Sequence, residues 1–138
     1  MNVFIDSNVV ISSLISSRGA AYALLHQSSF TPTISSVSYQ ELRIVTKKMN
    51  LPLKKLEVLV KKHCQVVKLT QKLPVIKQQF ANYVTDINDA YIVAGAHSAK
   101  AKYLISYNLK HFQTTAIKDK LDILIMTPAL FLQFLRSN

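Results

Sequence analysis

The sequence predicts an α/β fold, a three-layer α/β/α domain whose central, mostly parallel sheet has about four to five strands. Short apolar segments that suit buried strands alternate with longer segments of helical period. The strand candidates are apolar throughout, as expected for a parallel sheet covered on both faces. With 138 residues and no repeat or linker, residues 1–138 are predicted to form a single domain.

The chain opens with one strand and two helices. Residues 2–6 form a short apolar run that ends in an acid, which predicts a buried strand. Ser7 and Asn8 are good N-cap residues for a helix that runs to residue 15. A glycine-containing break separates this helix from a second short one at 20–26.

The middle of the chain repeats this alternation. A weak strand candidate at 33–35 precedes a helix at 36–49, which Pro52 ends because proline bars continuation. Apolar residues recur with helical period over 53–63, and 66–67 is predicted to be a brief strand.

The last part of the chain supplies the remaining elements. Residues 74–83 are predicted to be helical, and 86–100 carry the clearest helical period. The apolar face predicted for that second helix is formed by Ile87, Ala90, Tyr91, Ala94 and Ala101. Residues 103–106 and 121–126 are predicted strands, and Thr127-Pro128 begins a final amphipathic helix, with proline at its first position.

The composition favours an anionic partner. Seventeen Lys and Arg oppose seven Asp and Glu, a net charge of +10. This charge suits a nucleic acid, an acidic protein or an anionic membrane surface. The single Cys64 excludes an internal disulfide, and we expect it to be a small buried hydrophobe on a helix. No signal peptide or membrane-length apolar run is visible, so we expect a soluble, cytoplasmic protein.

Three of the acids stand where acids do chemistry. Asp6 leaves the first strand, and ligand sites of parallel sheets form at the carboxyl ends of strands. Glu41 lies on a predicted helix, and Asp89 opens another after Asp86. Two charges ~4 Å apart repel by about 4 kcal/mol at an effective dielectric near 20, and Mg²⁺ or Mn²⁺ would reverse that repulsion. An acidic metal pocket in a basic protein indicates an enzyme that acts on a polyanion.

Each acid also has a structural explanation. Asp6 could cap the next helix, although the two polar residues after it can do so. Ser38 and Glu41 have capping-box spacing. Asp86 suits an N-cap, and Asp89 suits the positive end of a helix dipole.

Taken together, these segments resemble the motifs of PIN-domain nucleases in the correct order. The matching segments are Val3-Phe4-Ile5-Asp6-Ser7-Asn8-Val9-Val10, Ser38-Tyr39-Gln40-Glu41-Leu42, Asp86-Ile87-Asn88-Asp89-Ala90 and Ala101-Lys102-Tyr103-Leu104-Ile105-Ser106-Tyr107-Asn108. Lys110-His111-Phe112 and Thr127-Pro128-Ala129-Leu130-Phe131 suit the VapC-like branch, the toxins of toxin–antitoxin pairs. The resemblance covers essentially the whole chain.

The resemblance implies a PIN-like domain that acts as a divalent-metal-dependent endoribonuclease, the toxin of a type II toxin–antitoxin pair. The implied catalytic and metal-binding residues, for Mg²⁺ or Mn²⁺, are Asp6, Glu41, Asp89 and Asn108. The supporting residues are Ser7, Asn8, Asp86 and Ser106. The implied partners are RNA, a cognate antitoxin protein and a second copy in a homodimer, with no membrane.

One position departs from the family pattern. Asn108 stands where many relatives carry Asp, and a neutral amide removes one negative charge that could hold a second cation. The alternative function is therefore a catalytically weak or inactive PIN-fold module that binds RNA or protein. The nearby His111 is expected to be a surface or half-buried histidine rather than a phosphate contact.

The lysines form a second candidate site. They occur as doublets, at Lys47, Lys48, Lys54, Lys55, Lys61 and Lys62. The last four would share one helical face, opposite Leu56, Leu59 and Val60. Such a stripe could bind phosphates without regard to sequence, or it could be an ordinary solvated face.

Two other nucleotide-related classes are disfavoured. A phosphotransfer enzyme of the haloacid-dehalogenase type, with Asp6 as nucleophile, wants a second Asp where Asn8 stands. A nucleotide-binding Rossmann domain needs a glycine-rich phosphate loop, which Gly19 and Gly95 alone cannot build.

Overall fold

Five parallel strands form the centre of the computed structural model, which describes residues 1–137. The strands are β1 Val3–Ile5, β2 Pro32–Ser35, β3 Gln65–Val67, β4 Tyr103–Ile105 and β5 Leu124–Met126. They lie in the order β3-β2-β1-β4-β5, and every neighbouring pair is parallel. The predicted three-layer α/β/α fold is confirmed. The strand order puts the residue after β1 beside the residue after β4.

Helices cover both faces of the sheet. They are α1 Ser7–Ile15, α2 Ala20–His26, α3 Ser36–Lys48, α4 Leu53–His63, α5 Leu73–Phe80, α6 Ala90–Ser98, α7 Thr114–Leu121 and α8 Pro128–Ser137. Short 3₁₀ turns occur at Ala81–Tyr83, Ile87–Asp89 and Leu109–His111. Val3 and Ile5 pack with α1–α4 and α8, whereas Phe4 packs with α5, α6 and α7. The uniformly apolar β1 therefore belongs to both cores, as its sequence predicts.

Two predicted helix N-caps are wrong. Asp6, rather than Ser7 or Asn8, occupies the N-cap position of α1, although its side chain forms no capping hydrogen bond. The N-cap of α3 is Ser35, whose Oγ accepts a hydrogen bond from the Ser38 backbone amide at 3.0 Å. Since Ser38 lies inside the helix, the capping-box explanation for Glu41 does not hold.

The helix predicted at 86–100 is divided into the 3₁₀ turn Ile87–Asp89 and the α-helix α6. Ile87 belongs to no buried face, since its side chain is 47% exposed. Instead, residues around most of the circumference of α6 are buried, namely Ala90, Ile92, Val93, Ala94, Gly95 and Ala96. A helix that packs in the middle of a layer is apolar on more than one face, so its period indicates the buried face poorly.

The segment before β5 also differs from the prediction. The strand predicted at 121–126 covers only Leu124–Met126, and a helix that was not predicted, α7, precedes it. This helix ends at Asp122, whose φ of 55° is left-handed and whose carboxylate accepts hydrogen bonds from Lys102 and Lys118. The helix is mostly polar and buries only Ile117, which explains why periodicity did not reveal it.

Two smaller expectations concern Cys64 and membranes. Cys64 is half-buried and follows the last residue of α4, rather than lying within the helix. Burial raises the pKa of its thiol to about 12. Within residues 1–137 no single helix is long and apolar enough to cross a membrane, and α1 with α2 would qualify only as a pair bent by 102°.

The helix α6 approaches the sheet closely at Gly95. A Cβ at this position would lie 2.5 Å from Cζ and 2.9 Å from Cε2 of the Phe4 ring, and 3.3 Å from the Ser35 Cβ. Phe4 is fully buried, so its ring has little room to move. A residue without a side chain is therefore what allows α6 to contact β1 directly.

We expect Gly95→Ala to lower the free energy of unfolding by about 1–2 kcal/mol. Overpacking costs about 1–3 kcal/mol, of which the better helix propensity of alanine recovers up to about 1 kcal/mol. Urea unfolding measures the change. Gly19→Ser is the control, because no heavy atom lies within 4 Å of a Cβ at Gly19 and serine suits its N-cap position. Equal stability of wild type and Gly95→Ala would contradict the packing argument.

Candidate active site

The candidate site begins where β1 and β4 end side by side. The Asp6 backbone amide donates to the Ile105 carbonyl at 2.9 Å, which continues the sheet pairing by one residue. The Ser106 hydroxyl, fully buried, donates to Asp6 Oδ2 at 2.8 Å. The fold therefore orients the Asp6 carboxylate with a hydrogen bond from the neighbouring strand end.

Asn8 and Asn108 complete the hydrogen bonds of Ser106. Asn8 Nδ2 donates to Ser106 Oγ at 3.3 Å, and the Asn108 backbone amide donates to the same oxygen at 3.1 Å. Asn8 Oδ1 in turn accepts from the Tyr107 amide at 3.4 Å. With both of its acceptor sites occupied, the Ser106 hydroxyl is left to donate to Asp6.

Asp89 lies across from Asp6 at the end of the 3₁₀ turn that precedes α6. Asp86 caps this turn, since its Oδ1 accepts from the Asn88 amide at 3.0 Å. Asp89 Oδ2 lies 3.5 Å from Nδ1 of His111. His111 is half-exposed, as predicted, but its contact with Asp89 was not predicted. Because Asp89 and His111 are 22 positions apart in the chain, no local sequence pattern indicated the contact.

Both aspartates carry an electrostatic cost. Burial raises the pKa of Asp6, and the nearby charge of Asp89 adds to the rise, whereas the Ser106 hydrogen bond lowers it. Burial also raises the pKa of Asp89, and the Asp86 charge adds to it, whereas His111 opposes the rise. The charge of Asp89 thus disfavours the ionisation of Asp6, and the charge of Asp86 disfavours that of Asp89.

Tyr91 connects the acids of three separate elements. Burial, together with the charges of Asp6, Glu41 and Asp89, raises the pKa of its phenol to about 12. The three predicted acids therefore all act electrostatically on one hydroxyl group. Sequence reasoning assigned Tyr91 only to an apolar helix face, and its position two residues after Asp89 was the one available signal.

Glu41 and Ser7 approach this hydroxyl from other directions. Glu41 is exposed on α3 and borders a groove of about 260 Å³ together with Lys77, Asn88 and Tyr91. The buried Ser7 hydroxyl lies beside the Tyr91 phenol and lowers its pKa, against the effect of burial.

The oxygen donors near Tyr91 suit a hard cation that keeps several waters better than one that is bound by protein ligands alone. Across residues 1–137, no group of three or more His, Cys, Asp or Glu side chains is close enough to hold an ion. Asp6, Asp89 and Glu41 nevertheless all act electrostatically on Tyr91, and Ser7 supplies a buried hydroxyl beside it. Mg²⁺ keeps several waters and binds proteins through one or two carboxylates, so this donor set fits such an ion.

The predicted lysine stripe lies apart from the acids. Its lysines are exposed, and Leu56, Leu59 and Val60 behind them are buried, as predicted. The helix α3 starts at the carboxyl end of β2 and runs for 13 residues, about 20 Å, before α4 begins. Two lysines that were not predicted are nearer: Lys77 borders the groove with Glu41, and Lys110 precedes His111.

We expect Asp6→Asn to stabilise the protein at neutral pH when no divalent cation is present. The folded-state pKa of Asp6 is raised, so its buried charge destabilises the fold above that pKa. The advantage of the neutral amide should shrink as the pH falls through the raised pKa and vanish where the carboxyl is protonated in both states. Thermal unfolding between about pH 4 and pH 8 measures this, with the exposed Asp119→Asn as control. A constant difference at every pH would refute it.

The fold is similar to those of several toxin–antitoxin proteins. A toxin–antitoxin complex from Klebsiella pneumoniae superimposes with a TM-score of 0.62 at 21% identity, covering 92% of this chain and 98% of that chain. VapBC2 from Rickettsia felis, bound to a promoter DNA fragment, gives 0.65 at 15%, covering 92% and 98%. VapBC-1 from nontypeable Haemophilus influenzae gives 0.65 at 18%, covering 94% and 99%. At these identities the likeness concerns the fold.

The family of the chain is identified from its sequence. No curated protein sequence matches the chain. The family model described as the PIN domain matches residues 2–110, which include every acid of the candidate site. This match spans well over half of the chain, and the chain therefore belongs to the PIN-domain family.

Proposed function

We propose that this protein is a divalent-metal-dependent endoribonuclease and the toxin of a type II toxin–antitoxin pair. The observation that carries the proposal is the placement of Asp6 after β1, Asp89 before α6 and Glu41 in one groove with Tyr91, whose hydroxyl all three acids affect. Membership of the PIN-domain family and the likeness to toxin–antitoxin proteins support it. A basic chain that has four of its seven acids, Asp6, Glu41, Asp86 and Asp89, at the candidate site suits an anionic substrate.

In the proposed mechanism, Asp6, Glu41 and Asp89 would hold Mg²⁺ or Mn²⁺ directly or through waters, with Asn108 assisting. The ion would activate a bound water and neutralise charge on the phosphate. Ser106 keeps the Asp6 carboxylate oriented, and Asn8 keeps Ser106 oriented. No side chain needs to act as nucleophile.

The protein would bind RNA through two sets of lysines. Lys77 borders the groove with Glu41, and Lys110 directly precedes His111, so both could contact phosphates near the cleaved bond. The stripe on α4 lies farther away and would contact flanking nucleotides. Binding at such sites is independent of sequence and weakens strongly with salt.

Asn108 supports a second candidate function, an RNA-binding or protein-binding module with weak or no catalysis. Its amide is neutral, so the site carries one charge fewer than in relatives with Asp at this position. Metal-stimulated cleavage by the purified protein distinguishes the two candidates.

We also propose an antitoxin protein and a second copy of the chain as partners, acting in the cytoplasm. Complexes of similar fold contain an antitoxin. Exposed apolar residues, Leu73 and Ile87, border the groove beside Glu41 and could be covered in a dimer. Light scattering tests the dimer, which would have twice the 15.5 kDa mass of one chain. Growth arrest on expression, relieved by Asp6→Asn, tests the toxin.

We expect RNA cleavage to require Mg²⁺ or Mn²⁺ and to stop with a chelator. Asp6→Asn and Asp89→Asn should each lower the cleavage rate by about 100-fold or more, since even outer-shell changes cost metal sites about 10–100-fold. The control Asp119→Asn, an exposed acid on α7, should keep full activity. Cleavage that survives both site variants would contradict the proposal, because a contaminant would then explain it.

The lysine stripe predicts a dependence on RNA length. Replacing Lys61 and Lys62 by Gln should make the salt dependence of RNA binding weaker. The negative slope of the logarithm of the RNA-binding constant against the logarithm of the salt concentration should become shallower by about 1.4, at about 0.7 per lost phosphate contact with single-stranded RNA. This loss is expected with an oligonucleotide long enough to reach α4 from the acids but not with a very short one. A matched variant that lacks Lys100 and Lys120 should keep the slope. If the slope for the variant that lacks Lys61 and Lys62 is unchanged, the lysine stripe is an ordinary solvated face and does not bind RNA.

A further inference from the structure

His111 stands out among the basic residues because it touches an acid of the candidate site. Its Nδ1 lies 3.5 Å from Asp89 Oδ2, and its positive charge, when present, lowers the pKa of Asp6 as well as that of Asp89. The imidazole is 53% exposed and the carboxylate side chain 32%, so an ion in solution can reach both.

The fold holds the two segments that carry this pair. The Thr85 amide donates to the His111 carbonyl at 2.9 Å, and the Gln113 amide donates to the Tyr83 carbonyl at 2.9 Å. Between them, Val84 and Phe112 form an antiparallel bridge. Both of these side chains are buried. The contact between His111 and Asp89 is therefore built by the backbone around it rather than by two mobile side chains.

The separation of the pair fits two ligands of one ion. It exceeds the 2.7–3.2 Å typical of an N–H···O hydrogen bond. Two donors at roughly 2.1 Å from an ion, with an angle of roughly 90–110° between them, lie about 3.0–3.4 Å apart. The observed 3.5 Å needs only a small adjustment to reach that geometry.

His111 belongs to the turn that directly follows the position where a ligand is missing. Asn108 precedes the 3₁₀ turn Leu109–His111, and the His111 amide donates to the Asn108 carbonyl at 3.1 Å. The imidazole in contact with Asp89 is therefore only three residues from the position that many relatives have as an acid.

We propose that Nδ1 of His111 binds the divalent ion of the site together with Asp89, in place of the carboxylate absent at position 108. This inference rests on the proposed metal-dependent function. Asp6 and Glu41 would contribute through bound waters, because no three such side chains among residues 1–137 are close enough to share an ion directly. A nitrogen ligand favours a transition-metal ion such as Mn²⁺ over Mg²⁺, which takes oxygen ligands.

Pulsed electron paramagnetic resonance of the Mn²⁺-loaded protein tests the proposal without reference to activity. A directly bound imidazole gives a nitrogen coupling to Mn²⁺, and selective ¹⁵N labelling of histidine identifies its source. We expect the coupling in wild type, its loss in His111→Gln, and Mn²⁺ affinity weakened about tenfold or more in that variant. The control His97→Ala, an exposed histidine at the other end of α6, should keep the coupling and the affinity.

The possible results distinguish a failure of the role of His111 from a failure of the proposed metal-dependent function. Mn²⁺ that binds with no histidine coupling, or with a coupling that survives His111→Gln, overturns the role of His111 and leaves the proposed function intact. Mn²⁺ binding that is absent, or that persists unchanged in both Asp6→Asn and Asp89→Asn, overturns the proposed metal site and the role of His111 with it.

Discussion

The direct packing of α6 on β1, through Gly95 against the Phe4 ring, is the constraint on which the candidate site depends. Asp6 follows β1, and Asp89 immediately precedes α6. Because a Cβ at Gly95 would overlap the buried ring, any larger residue would push the helix, and Asp89 with it, away from the strand. The distance between the two carboxylates is therefore set by packing several residues away from them.

Holding these acids together works against stability. The pKa values of Asp6 and Asp89 are raised mainly by burial, and each acid has another carboxylate nearby that adds to the rise. The buried Ser106 hydroxyl compensates in part by donating to Asp6. A chain of net charge +10 has no general need for such a cluster, so the cost points to function rather than folding.

What the sequence could predict depended on local signals. The apolar run of β1 followed by Asp6 placed an acid at the carboxyl end of a strand, and the sheet confirmed that place. The contact of His111 with Asp89 depends on the bridge between Val84 and Phe112, which joins segments far apart in the chain and leaves no periodic trace. Long-range pairing of this kind lies beyond any pattern read along one segment.

The neutral residue at position 108 changes the electrostatics of the site as well as its ligand count. A fourth carboxylate there would add to the repulsion that already raises the pKa of Asp6 and Asp89. Asn108 adds no charge, and the nearby His111 opposes the rise at both aspartates. The site can thus keep its carboxylates close together before an ion arrives, since less repulsion has to be overcome. A motif that is one acid short in the sequence is, in three dimensions, a site where a base three residues farther along opposes part of the carboxylate repulsion.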